Sequence, residues 1–220
     1  MFSSEVIKMI YEGFWETIYM TLVSTALGYV LGLPLGITLA VTDKDGIKPN
    51  RVVYRILDII SNIIRSVPFL ILLIVIIPLT KLLVGKSYGS SATVVPLVIA
   101  AAPFIARMIE SSLKEVDEGV IEAAKSMGAG TWTIIFKVML VEARTSLIVG
   151  VTIALGTILG YSAMAGTVGG GGLGDIAIRY GYYRYESDIM IVTIVILVII
   201  VQVLQALGMM LSKKLDRRNK

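Results

Sequence analysis

The chain has 220 residues, of which 56% are hydrophobic and 16% are charged, and its mean hydropathy is +0.84. A soluble domain of this size carries more charge and contains shorter apolar runs. Cysteine and histidine are both absent, which excludes disulfides, thiolate metal sites and the most common general base of enzymes.

Long apolar stretches predict an all-α membrane protein with five transmembrane helices, in a single domain covering residues 1–220. About 20 apolar residues cross the hydrocarbon core as a helix, and four uncharged stretches reach that length. The fifth, Ile56–Thr80, contains Asp58 and Arg65 and is retained because of the charges between the spans. The predicted spans are residues 15–41, 56–80, 87–107, 145–165 and 188–212.

Lysine and arginine are unevenly distributed among the segments that flank these spans. Alternate segments contain fourteen of these residues on one side and five on the other, with Arg65 inside a span. Positive residues concentrate on the cytoplasmic side of membrane proteins, so we predict the N-terminus outside and the C-terminus inside. Because the positive residues sort by membrane side, the net charge of +4 does not indicate nucleic-acid binding, and no nucleic-acid partner is expected. No basic n-region precedes the first span, which we expect to be retained.

Small residues recur at every fourth position of the first predicted span. One face of this helix is therefore nearly flat, and another helix can approach it closely. The partner helix is expected either in the same chain or in a second copy. The residues are Ser24, Gly28, Gly32, Gly36 and Ala40.

The second predicted span contains a charged residue, Arg65, roughly a third of the way across. A charge at that depth costs at least ~2.5 kcal/mol unless it is paired or hydrated. Arg65 therefore either pairs with Asp58, seven residues earlier on the same helix face, or lines a wet pathway. Pro68 and Pro78 predict that the helix is bent.

The loop between the third and fourth spans, about residues 115–142, predicts two short cytoplasmic helices. Asp117 is a candidate N-cap for the first helix and Thr131 for the second. Gly128 is expected to end the first helix. From these residues alone, the loop forms either a compact docking element or an amphipathic helix on lipid headgroups.

The fourth span ends beside a glycine run, and its last turns contain a candidate gate residue, Met164, close to Ser162. A flexible thioether can seal a narrow pore against its two-fold mate. Ordinary packing of Met164 is the alternative.

Two glycine motifs resemble nucleotide-binding sequences without their structural context. Gly169-x-Gly171-x-x-Gly174 follows a membrane helix, whereas the dinucleotide motif follows a strand. Gly85-Lys86-Ser87 lacks the first glycine of a phosphate-binding loop, because position 80 is Thr80. We therefore expect no ATP site in this chain.

The sequence Glu122-Ala123-Ala124-x-x-x-Gly128 resembles the signature of the membrane subunits of ABC importers. From about residue 10 to about residue 210 the chain is similar to the methionine importer permeases, a short five-span branch of that family. It departs from the family pattern at Val141, where a proline is usual, so the far end of the loop is left out of the expected contact. The segments that carry the similarity are Phe14–Thr17, Arg65–Phe69, Ala102–Arg107, Tyr161–Met164, Gly169–Gly174 and Arg179–Tyr182.

The resemblance implies that the chain is a permease subunit and not an enzyme. It implies a location in the cytoplasmic membrane of a prokaryote, in contact with membrane lipid. It also implies that the chain has no cofactor or metal of its own. It implies that two copies form the pathway, that two ATP-binding cassette subunits bind ATP and Mg, and that an extracytoplasmic substrate-binding (lipo)protein delivers methionine. Transport would proceed by alternating access. The implied ATPase-coupling residues are Val120, Ile121, Glu122, Ala123, Ala124, Ser126, Met127 and Gly128, and the candidate gate or pathway residues are Ser162, Met164 and Arg65.

Two other functions stay open from the sequence. The same machinery can import another amino acid or an osmoprotectant, because selectivity in such systems lies largely with the binding protein. The chain can also be a stand-alone channel or facilitator, which transports its solute without ATP.

Overall fold

The structure is a computed structural model that describes residues 2–215, without the side chain of residue 215. Three basic residues used in the charge count, Arg217, Arg218 and Lys220, lie outside the described residues. All regular structure within residues 2–215 is helical. The α-helices are α1 Ser4–Thr42, α2 Arg51–Ser66, α3 Phe69–Val75, α4 Ile77–Val84, α5 Ser90–Lys114, α6 Glu118–Ser126, α7 Thr131–Thr133, α8 Leu140–Glu142, α9 Arg144–Ala165, α10 Gly172–Ile176 and α11 Ser187–Leu215.

Three shorter segments have other helical geometries. The chain is π-helical over Ile134–Met139, which joins α7 to α8, and again over Ala177–Tyr182, which continues α10. A 3-10 turn, Gly166–Val168, extends α9. π-helical turns are rare and are frequently found at functional sites; here one lies in the loop between α5 and α9, and the other lies between α10 and α11.

The main packing contact joins α1 to α5. Glycines on one face of α1 lie against the backbone of α5: a β-carbon on Gly32 would lie 2.8 Å from the Ala102 carbonyl oxygen, and one on Gly36 would lie 2.5 Å from that of Ala106. Small residues let helix backbones approach closely, and at these two positions even the β-carbon of an alanine would lie too close to a carbonyl oxygen. The small-residue face therefore packs within the chain, which decides between the two partners expected from the sequence.

The directions of the long helices follow from contacts at their ends. The start of α5 lies beside α1 residue Glu16, and its end, Lys114, is paired with Asp43 just after α1. Helices α1 and α5 are therefore parallel, and residues 43–90 must return along their length. Helix α9 runs the opposite way, because Ser146 near its start contacts Ser112 near the end of α5.

The returning segment differs from the single bent helix expected over residues 56–80. The structure divides it into α2, α3 and α4, with a bend of 100° between α2 and α3. Val67 is extended (φ −80°, ψ 124°), because the ring of Pro68 disfavours helical geometry in the preceding residue and Pro68 has no N–H to donate. Among the described residues, four helices are long and apolar enough to cross a membrane, and the bent pair is a fifth candidate.

Helix α11 is the most exposed of the long helices. Large apolar side chains cover its outer faces, among them Ile191, Val195, Val198 and Leu207. Such a surface is unstable in water and is typical of a helix that faces lipid. Its inner side packs on α9, where Gln205 lies beside Gly156.

We predict that Gly36→Leu destabilises the fold. Its β-carbon would meet the Ala106 carbonyl and Ile109, and overpacking of this kind costs about 1–3 kcal/mol. Thermal unfolding of the detergent-solubilised protein measures the effect. Gly160→Leu is the matched control, because a β-carbon there meets nothing within 4 Å. An unchanged melting temperature for Gly36→Leu would contradict the packing described here.

Candidate functional site

The loop that follows α5 folds into two helical segments at the end of the molecule where α5 and α1 finish. The first, α6, begins at Asp117, whose carboxylate accepts a hydrogen bond from Gly119 N at 2.8 Å. This confirms Asp117 as an N-cap. Thr131 was expected to cap the second segment, but Gly130 occupies the cap position and Thr131 is already helical. The extended backbone of Gly130 (ψ 163°) begins the segment without a side-chain cap.

Gly128 ends α6 in a left-handed conformation, with φ +81°. Ala129 N donates to the Ala124 carbonyl at 3.0 Å, and Gly128 N donates to that of Lys125 at 2.9 Å. This pair of bonds is a Schellman motif, which satisfies the last carbonyls of a helix and favours glycine at the left-handed position. Gly128 thus has a geometric reason to be glycine, independent of any partner.

The residues of α6 divide between two faces. Ala124 is buried in the protein core and Ile121 is partly buried beside it. Val120, Ala123 and Met127 point outward, and Met127 is 82% exposed. We call Val120, Ala123 and Met127 the α6 stripe. Ala123 and Ala124 are both among the implied ATPase-coupling residues, but the structure leaves only Ala123 exposed. Glu122 and Ser126 are also exposed beside the stripe.

A cluster of charged side chains joins the C-terminal ends of α1 and α5 to the N-terminal half of α2. Arg107 is paired with Asp58 of α2 and, at 2.7 Å, with Glu110. Lys114 is paired with Glu110 at 2.7 Å and with Asp43 at 2.9 Å. The carboxylate of Glu110 is buried, and a buried charge is tolerated only when it is paired in this way. We call these five residues the charge cluster.

Hydrogen bonds to Asp43 and Glu110 further stabilise the charge cluster. The hydrogen bond from Lys114 holds the pKa of Asp43 below its ordinary value, so Asp43 is ionised. The Tyr54 hydroxyl donates to Glu110 at 3.1 Å. Asp58 pairs with Arg107, and within residues 2–215 Arg65 forms no ion pair with it, so the expected Arg65–Asp58 pair is wrong for this structure. Arg65 is exposed in the last turn of α2, next to the bend.

The candidate gate residues lie on different faces of α9. Met164 is 52% exposed, whereas Ser162 is buried and donates to the Leu159 carbonyl at 2.7 Å. The adjacent Tyr161 ring stacks on Phe69, with centroids 4.5 Å apart. The first turn of α3 is thereby held against the C-terminal end of α9. Met164 is available to a second molecule, and Ser162 is not.

The glycine run after α9 is held by residues that sequence reasoning did not select. Glu16 and Thr17 of α1 accept hydrogen bonds from Gly172 N and Leu173 N, at 2.7 and 2.9 Å. The sequence contains a usable signal: an acidic residue and a threonine at the start of an apolar span, in one of the segments that resemble the permeases. Among residues 2–215, no group of three or more acidic side chains is placed to hold a metal ion.

The comparisons with known proteins agree with this architecture. Residues 32–220 match the family described as the binding-protein-dependent transport system inner membrane component. The chain belongs to this family. It is therefore a multi-pass inner membrane permease subunit of a binding-protein-dependent transport system, and in this family the ATPase is a separate subunit.

Two relatives and one solved structure extend the comparison. A probable D-methionine transport system permease protein of Vibrio cholerae is 52% identical over 204 residues, which cover 93% of this chain and 91% of the relative. A methionine import system permease protein of Bacillus subtilis is 44% identical over 177 residues, 80% of each chain. A chain of the MetNI methionine ABC transporter, solved in inward-facing conformations, superposes with a TM-score of 0.96 at 45% identity and covers 98% of this chain and 100% of that chain.

Proposed function

We propose that this chain is the transmembrane permease subunit of an ATP-driven methionine importer. The observation that carries the proposal is the agreement of sequence and structure over nearly the whole chain: relatives named as methionine permeases are 44–52% identical, and the superposed chain comes from a methionine ABC transporter. No catalytic residue is assigned, because the energy source is a partner ATPase that binds ATP and Mg.

The proposed membrane arrangement has five spans, with the N-terminus outside and the C-terminus inside. Because α1 and α5 are parallel, the chain must cross the membrane once more between the end of α1 and the start of α5. The segment that can make this crossing consists of α2, α3 and α4. The charge cluster, α6 and the end of α11 then lie together on the cytoplasmic side. This side also contains most of the Lys and Arg residues, as expected for cytoplasmic segments.

The proposed complex contains two copies of this chain, two ATP-binding cassette subunits and an extracytoplasmic substrate-binding protein. The α6 stripe supports the ATPase contact, because it exposes Val120 and Met127 around the small residue Ala123. A small residue between two larger apolar ones lets a helix sink into a groove on its partner. The charge cluster connects this contact to the inner ends of α1, α2 and α5.

Met164 is the proposed gate residue. It is exposed at the outer end of α9, and Gly160, one turn earlier on the same face, has open space around it. A second copy related by a two-fold axis can therefore bring its own Met164 close, and two flexible thioethers can seal the opening. Arg65 is exposed next to the α2–α3 bend, and we propose that it lines the pathway.

The alternative with the same machinery is import of another amino acid or an osmoprotectant. Residues that contact substrate are not assigned in this chain, and the binding protein selects the solute, so relatives of different specificity can share this fold. A stand-alone channel is less favoured, because the exposed α6 stripe has no role in it.

The first test concerns the solute. We expect the complex reconstituted in vesicles with its cognate binding protein to take up labelled methionine only when ATP is present. Excess unlabelled methionine should compete, and other amino acids should not. Uptake without ATP would favour a channel, and competition by a different solute would identify another substrate.

The second test concerns the α6 stripe and the orientation together. We expect Ala123→Trp to abolish co-purification of the ATPase subunit, because the indole would hold α6 out of the groove. Lys125→Trp is the matched control, since it adds the same side chain to an exposed position two residues away, on the other side of α6. Equal ATPase binding by both variants would rule out the stripe as the contact, and with it the argument that α6 is cytoplasmic.

The third test concerns the gate. We expect Met164→Gly to allow methionine to leak across vesicles in the absence of ATP, because the two-fold seal would lose both thioethers. Met209→Gly is the control, since Met209 is 45% exposed on α11 and faces lipid in the proposed arrangement. A leak of the same size in both variants, or in neither, would exclude Met164 as the gate.

A further inference from the structure

The outer glycine loop, Gly169–Gly172, is held from two sides. On one side its carbonyls meet the start of α5: Gly89 N donates to the Gly169 carbonyl at 2.9 Å, and the Thr93 hydroxyl donates to that of Gly170 at 3.1 Å. On the other side its amides meet α1. The loop therefore connects α1, α5 and the end of α9 at a single place.

The α1 side of this connection consists of two consecutive residues. The Glu16 carboxylate accepts from Gly172 N at 2.7 Å, and the Thr17 hydroxyl accepts from Leu173 N at 2.9 Å. These amides are the first two of α10, and the cap residue Gly171 offers no side chain to them. The first amides of a helix have no partner within it. Residues of α1, about 156 positions away in the sequence, thus act as the cap of α10.

The glycines are needed for this approach. Gly171 and Gly172 have φ of +80° and +78°. A β-carbon on Gly171 would lie 2.8 Å from a Glu16 carboxylate oxygen, and one on Gly172 would lie 2.7 Å from the Thr17 hydroxyl oxygen. The other carboxylate oxygen of Glu16 lies 3.5 Å from the Ser90 hydroxyl, at the first turn of α5. A negative charge is stabilised at the start of a long helix.

We infer that Glu16 is a positioning residue for transport, an inference that rests on the proposed import function. Glu16 joins the start of α5 to the loop that follows α9, and the loop that contains α6 begins at the other end of α5. Helix α5 has 25 residues and is about 37 Å long. A displacement of α5 driven from the ATPase side is passed to the outer end of α9, and so to Met164, through the loop that Glu16 holds.

For this role, the side chain at position 16 must accept a hydrogen bond from Gly172 N. Glutamine keeps an acceptor oxygen in nearly the same place, whereas leucine fills the space without one. If the acceptor holds the loop, Glu16→Gln should retain function and Glu16→Leu should not. Glu12 provides the control on the same helix: within residues 2–215 its one ion pair is with Lys8 at 3.8 Å, and its side chain is 63% exposed.

The experiment measures uptake of labelled methionine and ATP hydrolysis in the same vesicles, with the assembled complex and binding protein. We expect uptake per ATP to fall at least about fivefold in Glu16→Leu, as for loss of one charge-assisted hydrogen bond, with ATP hydrolysis within about twofold of wild type. Glu16→Gln and Glu12→Leu should stay within about twofold in both. A parallel fall of uptake and hydrolysis, or equal losses in the Gln and Leu variants, would overturn the inference.

A second readout does not depend on methionine. The chain has no cysteine, so Thr167→Cys places a single thiol at the exposed outer end of the 3-10 turn after α9. We expect its labelling by an impermeant maleimide to become at least about threefold faster when Glu16→Leu is added, because the loop is no longer held. An unchanged rate would overturn the inference even if methionine is imported. A faster rate in a complex that does not import methionine would leave Glu16 as the positioning residue and refute the proposed solute.

If the complex that carries Glu16→Leu does not assemble, Thr17→Val provides a second variant for the same test. Valine has nearly the shape of threonine but accepts no hydrogen bond from Leu173 N. The same change in labelling rate, in the same direction, is expected from this variant. An assembled Thr17→Val complex with wild-type labelling and wild-type uptake per ATP would overturn the assignment of this α1 segment.

Discussion

The close approach of α1 and α5 is the constraint on which the rest of the structure depends. It is possible only because Gly32 and Gly36 place no side chain between the two backbones. Lipid offers no hydrophobic driving force between helices, so close van der Waals contact has to supply the stabilisation. Since α1 and α5 are parallel, the intervening chain must return across the same distance. The loop that contains α6 and the glycine loop Gly169–Gly172 therefore lie at opposite ends of one closely packed helix pair.

Polar groups at the two ends of this pair act as connectors. At the end where α1 and α5 finish, the charge cluster attaches α2 to α5 through Asp58 and Arg107 and attaches α1 through Asp43 and Lys114. At the other end of the pair, Glu16 and Thr17 attach the glycine loop. Each connector pairs a group that would be costly to bury alone. Together they define a path from α6, along α5, to the turn that follows Met164.

The α2–α3 bend is the place where sequence reasoning and structure differ most. Pro68 was recognised as a source of bending, and a proline inside a membrane helix commonly produces a modest kink. The structure instead bends by 100°. The polar side of α2 is held on α5 by Asp58, while Phe69 is held on Tyr161 of α9. These contacts come from parts of the chain far from Pro68, so the angle could not be read from the local sequence.

The sequence by itself determined the membrane class, the approximate positions of the long helices, the capping of α6 by Asp117 and the turn at Gly128. These depend on apolar length and on hydrogen bonds between near neighbours, which local residues specify. Only the tertiary structure decided that Asp58 pairs with Arg107 in place of Arg65, that Ala124 is buried while Ala123 is exposed, and that Glu16 reaches Gly172. Each of these contacts joins residues brought together by helix packing or depends on which side of a helix meets the core.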